Sequence, residues 1–373
     1  MAPQPTAVTL AGDGTDRRPP PRTRAADHVV TYAALLAQVR DHGLMKRRLG
    51  FYWTYASILV GSLIALGVAF ALLGNSWFQL LVATGLAVIF AQFGFLGHDA
   101  AHRQIFASSR WNIWSSRIIS TVFIGLSHGW WMHKHNKHHN SPNQMGSDPD
   151  IAPGVLAFTS EIAGDRVDRG GFTGWFTRHQ GWFFFPLLML EGLALHIAGI
   201  RTLLERRDLD HRLLEAVLLT LRLGGYVTIL FVVLPPSKAA AFLGLQLAVF
   251  GVLLGGSFAP NHKGMPVVPR GLRLDFLRRQ VVMSRNIRGG WFVDTAMGGL
   301  NYQIEHHLFP SMARPNLSKA QPIVRAFCLE QGITYTETTL AASYGIVVRY
   351  LNTVGLSQRD PFACPLVSEY RSV

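Results

Sequence analysis

The chain has 373 residues, of which 49% are hydrophobic and only 15% are charged. Soluble domains have about 25% charged residues, so this composition argues against a soluble protein and favours an integral membrane protein. Lysine and arginine outnumber aspartate and glutamate by 35 to 22. Because the basic residues lie between long apolar runs, they indicate a basic membrane face, and no nucleic-acid partner is expected.

The amino-terminal segment, residues 1–28, is rich in Pro, Arg, Thr and Ala and contains no apolar stretch. It therefore lacks the core of a signal peptide, and we expect a disordered tail. Residues 29–373 are expected to form one domain. The two cysteines, Cys328 and Cys364, cannot make a disulfide framework, which indicates a reducing compartment.

Two apolar runs without Lys, Arg, Asp or Glu come next, at about 52–73 and 77–96. Each is long enough to cross about 30 Å of hydrocarbon as a helix. Only Gly74, Asn75 and Ser76 separate them. The two runs predict a helical hairpin with a short turn on the far side of the membrane.

The stretch 182–200 is also apolar, but Pro186, Glu191 and His196 interrupt it. A fifth span at this point would move the last part of the chain to the other side of the membrane. We therefore expect this stretch to be interfacial or buried.

A second pair of apolar runs, at about 213–234 and 239–258, predicts another hairpin. Arg222 lies inside the first run and needs a polar partner there or a path by which its side chain snorkels to the interface. Of the two far-side turns, one has no basic residue and the other has only Lys238. The positive-inside rule therefore places both termini, and the polar segments 97–212 and 259–373, in the cytoplasm. The predicted fold is all-α: a protein of the cell membrane with four transmembrane helices and a cytoplasmic helical cap.

Histidines cluster in motifs that this topology places on one side of the membrane. His98 and His102 form HDAAH after the second span, where helical spacing puts both rings on one face. His135, His138 and His139 form HNKHH, in which the three rings can converge or the adjacent pair can divide between two metals.

The third motif is QIEHH, which contains Gln303, His306 and His307. Asn261 and His262 lie just beyond the fourth span, where one more ligand can enter from the membrane side. Imidazole suits zinc, copper, iron or nickel. Seven or eight imidazoles exceed the four positions of a tetrahedral zinc, and they suit two irons that leave room for dioxygen.

In this order and with a hairpin between them, the three motifs resemble the histidine boxes of membrane fatty acid desaturases over roughly residues 50–317. The glutamine that opens the third box is similar to the front-end and linoleoyl-CoA branch. The resemblance implies that Gln303 ligates through its amide oxygen, acts through water or orients a neighbour. It also implies an iron ligand set of His98, His102, His135, His138, His139, His306 and His307, with His262 matching the additional histidine of the family.

The family's reaction implies a cis double bond made in an acyl chain with O2 as co-substrate and two electrons. The acyl group is expected on coenzyme A, a carrier protein or a membrane lipid. The sequence has no HPGG haem motif of a fused cytochrome b5. Electrons are therefore expected from a separate donor, such as ferredoxin with its reductase, which the basic face would attract.

Residues beside the boxes have roles that the sequence leaves open. Asp99 and Glu305 are candidates to hold imidazole tautomers, or they are ordinary surface acids. Trp130 and Trp131 line an acyl tunnel or, as we prefer, sit at the interface or in packing. Four basic residues either meet the phosphates of a carrier or form a solvated face: Lys134, Lys137, Arg285 and Arg288.

Three other functions remain to be separated from desaturation. A membrane hydroxylase or ketolase of a lipid, alkane or carotenoid resembles the same eight-histidine arrangement. A histidine-lined metal transporter needs its polar residues inside the spans, where these motifs are absent. An intramembrane zinc protease built on HDAAH leaves five box histidines unexplained.

Overall fold

The computed structural model describes residues 24–356, which are almost entirely helical. Helix α1, Arg24–Asp41, begins within the segment predicted as a tail. The rest of that segment, residues 1–23, lies outside the described residues, as does Cys364.

The first predicted hairpin is present as α2, Leu49–Leu73, and α3, Gln79–Ala101. Gln79 closes the turn, because its amide donates to the carbonyl oxygens of Phe70 and Gly74 at 2.8 and 2.9 Å. These carbonyls end α2 and have no partner within the helix. Helix α3 continues beyond the predicted end at residue 96, so the first histidine box lies on a helix.

The segment after α3 is polar and irregular between its helices. Helix α4, Ser109–Ile118, runs into a π-helical segment, Ile119–Ile124, and α5 follows at His128–Asn140. Ser127 caps α5, since its hydroxyl accepts from the amide of Trp130 at 3.2 Å. The second histidine box therefore starts from a fixed helix end.

Three helices lead to the second hairpin: α6, Ser160–Arg169; α7, Gly171–His179; and α8, Phe184–Glu205. Helix α8 covers the stretch that we expected to be interfacial or buried. Pro186 does not interrupt it, because the proline falls in the first turn, where backbone N–H groups have no partner in the helix. With α8 the described residues contain five helices that are long and apolar enough to cross a membrane, against the four predicted.

The second hairpin consists of α9, Arg212–Val233, and α10, Pro236–His262. Arg222 has the polar partner that its place in α9 requires, because its guanidinium donates to the carbonyl oxygen of Phe123 at 3.1 Å. The guanidinium also lies 4.7 Å from the ring centre of Tyr226. These contacts explain how an apolar helix carries a charge.

Two glycines let α8 and α10 approach closely. A Cβ atom on Gly192 would lie 2.3 Å from the carbonyl oxygen of Leu247, and one on Gly251 would lie 2.4 Å from that of Leu188. No other residue fits at either position without a shift of the backbone. The crossing therefore fixes α8 against the helix that ends in His262.

Pro260 lies inside α10 and removes one backbone donor, which leaves the carbonyl of Gly256 without its helical partner. The Tyr344 hydroxyl donates to this oxygen at 2.8 Å. Tyr344 belongs to α15, so a cap helix repairs the break in α10. Helix α10 can thus continue to His262.

The polar carboxyl-terminal part forms a cap of short elements over one end of the long helices. Strands β1 and β2 pair in parallel, with Asn286 opposite Glu337. Pro322 lies inside α14 and is exposed, so water can solvate the carbonyl that loses its helical partner. The elements are α11, Phe276–Val282; β1, Asn286–Arg288; α12, Trp291–Ala296; α13, Gln303–Leu308; α14, Arg314–Glu330; β2, Glu337–Thr339; and α15, Leu340–Leu356.

Candidate metal centre

Four helices meet where the long helices join the cap, and each brings histidines. Helix α3 ends with the first box, α5 carries the second, α10 ends at His262 and α13 carries the third. The structure brings all eight predicted histidines together in two groups.

The larger group contains five rings whose candidate ligand atoms all lie within 4.8 Å of one another. The Nε2 atoms of His102 and His135 are 2.7 Å apart, and those of His139 and His306 are 3.2 Å apart. The five-histidine group consists of His98, His102, His135, His139 and His306.

The three-histidine group consists of His138, His262 and His307. Each ring has an acceptor for a proton on Nδ1: a carboxylate oxygen of Asp148 at 3.1 Å, the carbonyl of Met283 at 3.0 Å and the amide oxygen of Gln280 at 2.9 Å, respectively. A proton held on Nδ1 leaves the Nε2 lone pair free. All three rings are therefore held in the tautomer that can bind a metal through Nε2.

The electrostatics of the site favour neutral rings. Burial first, and neighbouring imidazoles second, lower the pKa of four half-buried or buried ligand candidates well below the ordinary value: His135, His139, His306 and His307. For His138 burial also lowers the pKa, but the carboxylates of Asp148 and Asp150 outweigh it and the net direction is upward. Neutral imidazole is the form that coordinates a metal ion.

The donor set fits a pair of metal ions. The Nε2 atoms of His98 and His307 are buried and have no hydrogen-bond partner among the described residues. A buried nitrogen without a partner costs about 1–3 kcal/mol unless something binds it. The two groups are adjacent, since the rings of His139 and His307 stack with centres 4.2 Å apart. Each group could hold one ion.

Gln303 and Asn261 stand beside the three-histidine group. The amide of Gln303 lies 2.9 Å from Nε2 of His262. Asn261 donates to the Gln303 amide oxygen at 3.3 Å and to the carbonyl of Leu300 at 3.1 Å. Gln303 is thus held with its amide at the ligand atom of a neighbouring histidine, and Asn261 holds Gln303.

The two predicted carboxylates have different surroundings. Asp99 approaches Nδ1 of His98 at 3.5 Å and forms an ion pair with Arg314 at 2.7 Å. Glu305 contacts no imidazole among the described residues and is fully buried, so neither alternative, a holder of an imidazole tautomer or a surface acid, describes it. It points from α13 toward the strands and accepts hydrogen bonds from Asn286 and Tyr335 at 2.7 and 2.8 Å. Burial raises its pKa to about 7.

Sequence reasoning missed the residues that hold the three-histidine group. Asp148 follows the second box in the acidic segment SDPD, which is the one local signal that could have indicated it. Gln280 is an ordinary polar residue of α11, and Met283 contributes only a backbone carbonyl. No sequence motif marks Gln280 or Met283 as a hydrogen-bond partner of a histidine.

A fully buried carboxylate, Glu215, anchors the helix of the second box. It accepts from the Ser127 hydroxyl at 2.9 Å and from the Gly129 amide at 3.2 Å, both at the amino terminus of α5. It also accepts from Arg117 of α4 at 3.3 Å. A negative charge at a helix amino terminus is favourable. Glu215 therefore ties α9, in the membrane part, to α5.

A cavity of about 540 Å³ reaches the site. Four metal-ligand candidates line it: His98, His135, His138 and His262. Trp130 and Trp131 also line it, and the Trp131 ring stacks on His135 with centres 4.4 Å apart. The tunnel alternative is therefore the one that the structure favours for these tryptophans, rather than the interface or packing role that we preferred.

Only one of the four basic residues proposed to meet a carrier lines this cavity. Lys134 does so and pairs with Asp150 at 2.9 Å. Arg285 is buried and donates to backbone carbonyls at the end of α10, so it cannot meet a headgroup. Lys137 is exposed, and Arg288 lies 3.8 Å from Glu337 in the strand pair.

Comparison with known proteins agrees with the geometry. The fatty acid desaturase family model matches residues 75–339. The chain belongs to this family of oxidoreductases, which confirms the resemblance of the three boxes. The match gives no support to the transporter or the zinc protease.

Individual relatives are similar over most of the chain. An acyl-lipid (9-3)-desaturase of Physcomitrium patens is 33% identical over 286 residues, which are 74% of this chain and 54% of that protein. A delta(8)-fatty-acid desaturase of Helianthus annuus is 26% identical over 345 residues, 88% of this chain and 74% of that protein. A delta(5) fatty acid desaturase of Caenorhabditis elegans is 29% identical over 320 residues, 84% and 71% of the two chains. The chain spans about half the length of the first of these relatives.

Proposed function

We propose that the protein is a fatty acyl desaturase that makes a cis double bond with O2 and two electrons at a non-haem di-iron centre. The observation that carries the proposal is the position of the two histidine groups, which lie side by side at the inner wall of an apolar cavity. The relatives named for delta(5), delta(8) and (9-3) desaturation support a front-end reaction.

Iron is the proposed metal because the donors are imidazoles without thiolates, and their number exceeds what a single ion takes. One ion would be held by the five-histidine group and the other by the three-histidine group, with Gln303 beside the latter. Bound iron would supply the activation of dioxygen that removes two hydrogens from the acyl chain. The side chains Asp148 and Gln280 would keep the ligand lone pairs turned inward.

The cavity walls would perform the rest of the task. Apolar residues such as Leu254 and Phe258, together with the ring of Trp131, would exclude water and hold the acyl chain beside the ligands. The close contact of Trp131 with His135 places this wall next to the five-histidine group.

For the membrane topology we propose four spans, α2, α3, α9 and α10, with α8 at the interface. Both ends of α8 are attached to elements at the site end of the bundle. Phe184 packs with Val347 and Leu351 of α15, and the other end reaches α9 through residues 206–211 alone. With α8 at the interface, the positive-inside rule gives a cytoplasmic site and cytoplasmic termini.

Electrons are proposed to come from an acidic protein such as a ferredoxin. The net charge of +13 supports this, because a basic face raises the rate at which an acidic partner arrives.

The test is gas chromatography with mass spectrometry of total fatty acids from a host that expresses the protein and a suitable donor. We expect a new unsaturated acyl chain with the wild type and none with His306→Ala, His307→Ala at the same protein level. A hydroxylated lipid in its place would assign the hydroxylase reaction. Unchanged lipids in both strains would contradict an acyl substrate.

A further inference from the structure

Resting on the proposed function, the structure also indicates where the acyl chain comes from. We propose that the substrate is the acyl chain of a membrane lipid, which enters the cavity sideways from the bilayer, and not an acyl chain on coenzyme A or a carrier protein.

The cavity has a deep end, where the lining residues are buried, and an open end, where they are exposed. The deep lining, which includes His98, His262 and Leu254, is buried. The exposed lining consists of residues 152–155 and of Leu190 and Ala194 on α8. The mouth therefore lies between the 152–155 loop and α8.

The rim of this mouth is apolar. Val155 and Leu190 both line the cavity, and their exposed fractions are 66% and 58%. A rim of exposed apolar side chains suits contact with lipid rather than with water.

Helix α8 has an apolar outer face along its whole length. The exposed large side chains recur every three or four residues, which places them on one side of the helix. Such a face belongs in lipid, whether α8 lies at the interface or crosses the bilayer. Leu190 borders the mouth, so the mouth opens beside the lipid. The face consists of Phe185, Met189, Leu193, Ile197, Ile200 and Leu204.

The charges near the mouth do not suit coenzyme A. Its several phosphate groups call for a cluster of unpaired basic residues. The two lysines in the lining are already bound to one residue: Lys134 pairs with the Asp150 carboxylate at 2.9 Å, and Lys263 donates to the Asp150 carbonyl at 2.8 Å. Glu191 adds a second carboxylate to the same lining. The two lysines and the two carboxylates of the lining balance. A further basic residue contacts the mouth, since Arg166 donates to the carbonyl oxygens of Gly154 and Val155. A single arginine held by the loop backbone is not the cluster that several phosphates require.

The first test compares carriers with one deuterated acyl chain. The iron-loaded protein in lipid vesicles, with donor and reductase, receives the chain as phosphatidylcholine in the vesicle, as acyl-CoA or as acyl carrier protein. Mass spectrometry of each intact carrier at early times should find at least ten times more desaturated product on phosphatidylcholine than on acyl-CoA or on the acyl carrier protein. A product that appears first on acyl-CoA or on the carrier protein would overturn the inference and leave desaturation intact. No product on any carrier would contradict the proposed function itself.

The second test narrows the mouth with bulky apolar residues that keep the lipid-facing character. Leu190→Trp and, independently, Val155→Trp should slow desaturation of vesicle lipid several-fold at a low mole fraction of substrate, with the iron content unchanged. Met189→Trp is the matched control, since Met189 is the residue next to Leu190 on α8 and is 51% exposed but does not line the cavity. Equal rates in Leu190→Trp, Val155→Trp and the control would exclude this mouth as the entrance.

Discussion

The ligand candidates differ in how their outer nitrogen is held. In the three-histidine group each Nδ1 has an oxygen acceptor within 3.1 Å. In the five-histidine group the corresponding contact is that of His98 with Asp99, at 3.5 Å. The protein therefore orients His138, His262 and His307 before a metal arrives, whereas the five-histidine group depends more on the metal for its final geometry.

Asp148→Asn tests this difference. The amide keeps the shape of the side chain but can donate to Nδ1 of His138, which moves the ring proton to Nε2 and blocks the ligand atom. We expect metal affinity at the three-histidine group to fall about 10- to 100-fold, measured as iron per chain during dialysis against a chelator. Glu161→Gln is the control, since Glu161 is an exposed acid paired with Arg270. Equal iron loss in both variants would contradict the role of Asp148.

The lowered pKa values of the site histidines predict how the metal-free protein responds to acid. In the unfolded chain a histidine takes up a proton near pH 6.5, but in the folded chain burial keeps His139, His306 and His307 neutral to well below that. The unfolded state then binds more protons, so stability is lost as the pH falls below about 6.5. The melting temperature of chelator-treated protein should fall from about pH 8 to pH 5.5, a range above the ordinary carboxylate pKa values. Glu305, whose pKa burial raises to about 7, acts in the opposite direction, because the folded state takes up its proton first. His306→Ala, His307→Ala should show a smaller fall; an equal slope would assign the effect to other groups.

At the scale of elements, the four predicted spans match helices because a long run without charge is a local property. The runs at 52–73 and 213–234 differ from α2 and α9 by at most three residues at either end. The sequence predicted an interrupted apolar stretch where α8 is one continuous helix, because the polar residues of α8 are satisfied in ways that the sequence does not display. His196, for example, hydrogen bonds to the Gly192 carbonyl at 2.6 Å within the helix.

At the site, too, local sequence patterns could be predicted, whereas contacts made only in the folded chain could not. Seven of the eight histidines could be predicted because their spacing repeats in recognisable boxes, and His262 could be predicted because it lies just beyond the fourth apolar run. Asp148 and Gln280 could not, because only the folded chain brings Gln280 of α11 to His307 of α13. The sequence left the role of Glu305 open for a related reason: being next to a ligand in sequence does not set the direction in which a helical side chain points.

The close crossing of α8 and α10 gives a stability prediction whose test and control substitutions both lie in α10. Gly251→Ala places a Cβ within 2.5 Å of the Gly192 amide nitrogen, so the helices must separate. Overpacking of this kind costs about 1–3 kcal/mol. Gly244→Ala has no atom within 4 Å of its Cβ and should be neutral or stabilising by up to about 1 kcal/mol. Thermal melting in one detergent measures both. A melting temperature for Gly251→Ala at or above that of Gly244→Ala would contradict the close crossing.

On the scale of the whole molecule, the chain is strongly basic, with a net charge of +13. Three ligand candidates are only half-buried, namely His102, His135 and His139. Lys137 is exposed on the same helix as the latter two. An electron donor that docks here would come within a short distance of a ligand ring.

Lys137→Glu should slow turnover with an acidic ferredoxin several-fold at low ionic strength. The difference should shrink in high salt, which screens exposed charges. Turnover with dithionite, a small reductant that needs no docking, should stay unchanged. Lys238→Glu carries the same charge change in the first turn of α10, where Lys238 contacts Asn75 between α2 and α3, and serves as the control. An equal loss with dithionite would mean that the substitution damages the site, and an equal loss in Lys238→Glu would mean that location does not matter.

The contact between His139 and His306 joins residues that are 167 positions apart. This separation sets the order of events during synthesis. When translation has passed Lys263, all five long apolar helices found within residues 24–356 have been made and can enter the bilayer, but His306 and His307 do not yet exist. A nascent chain at that stage holds six of the eight rings and cannot complete either group. Metal capture therefore belongs to the last part of biogenesis, after membrane insertion, and a chain truncated before Gln303 should be inserted but empty.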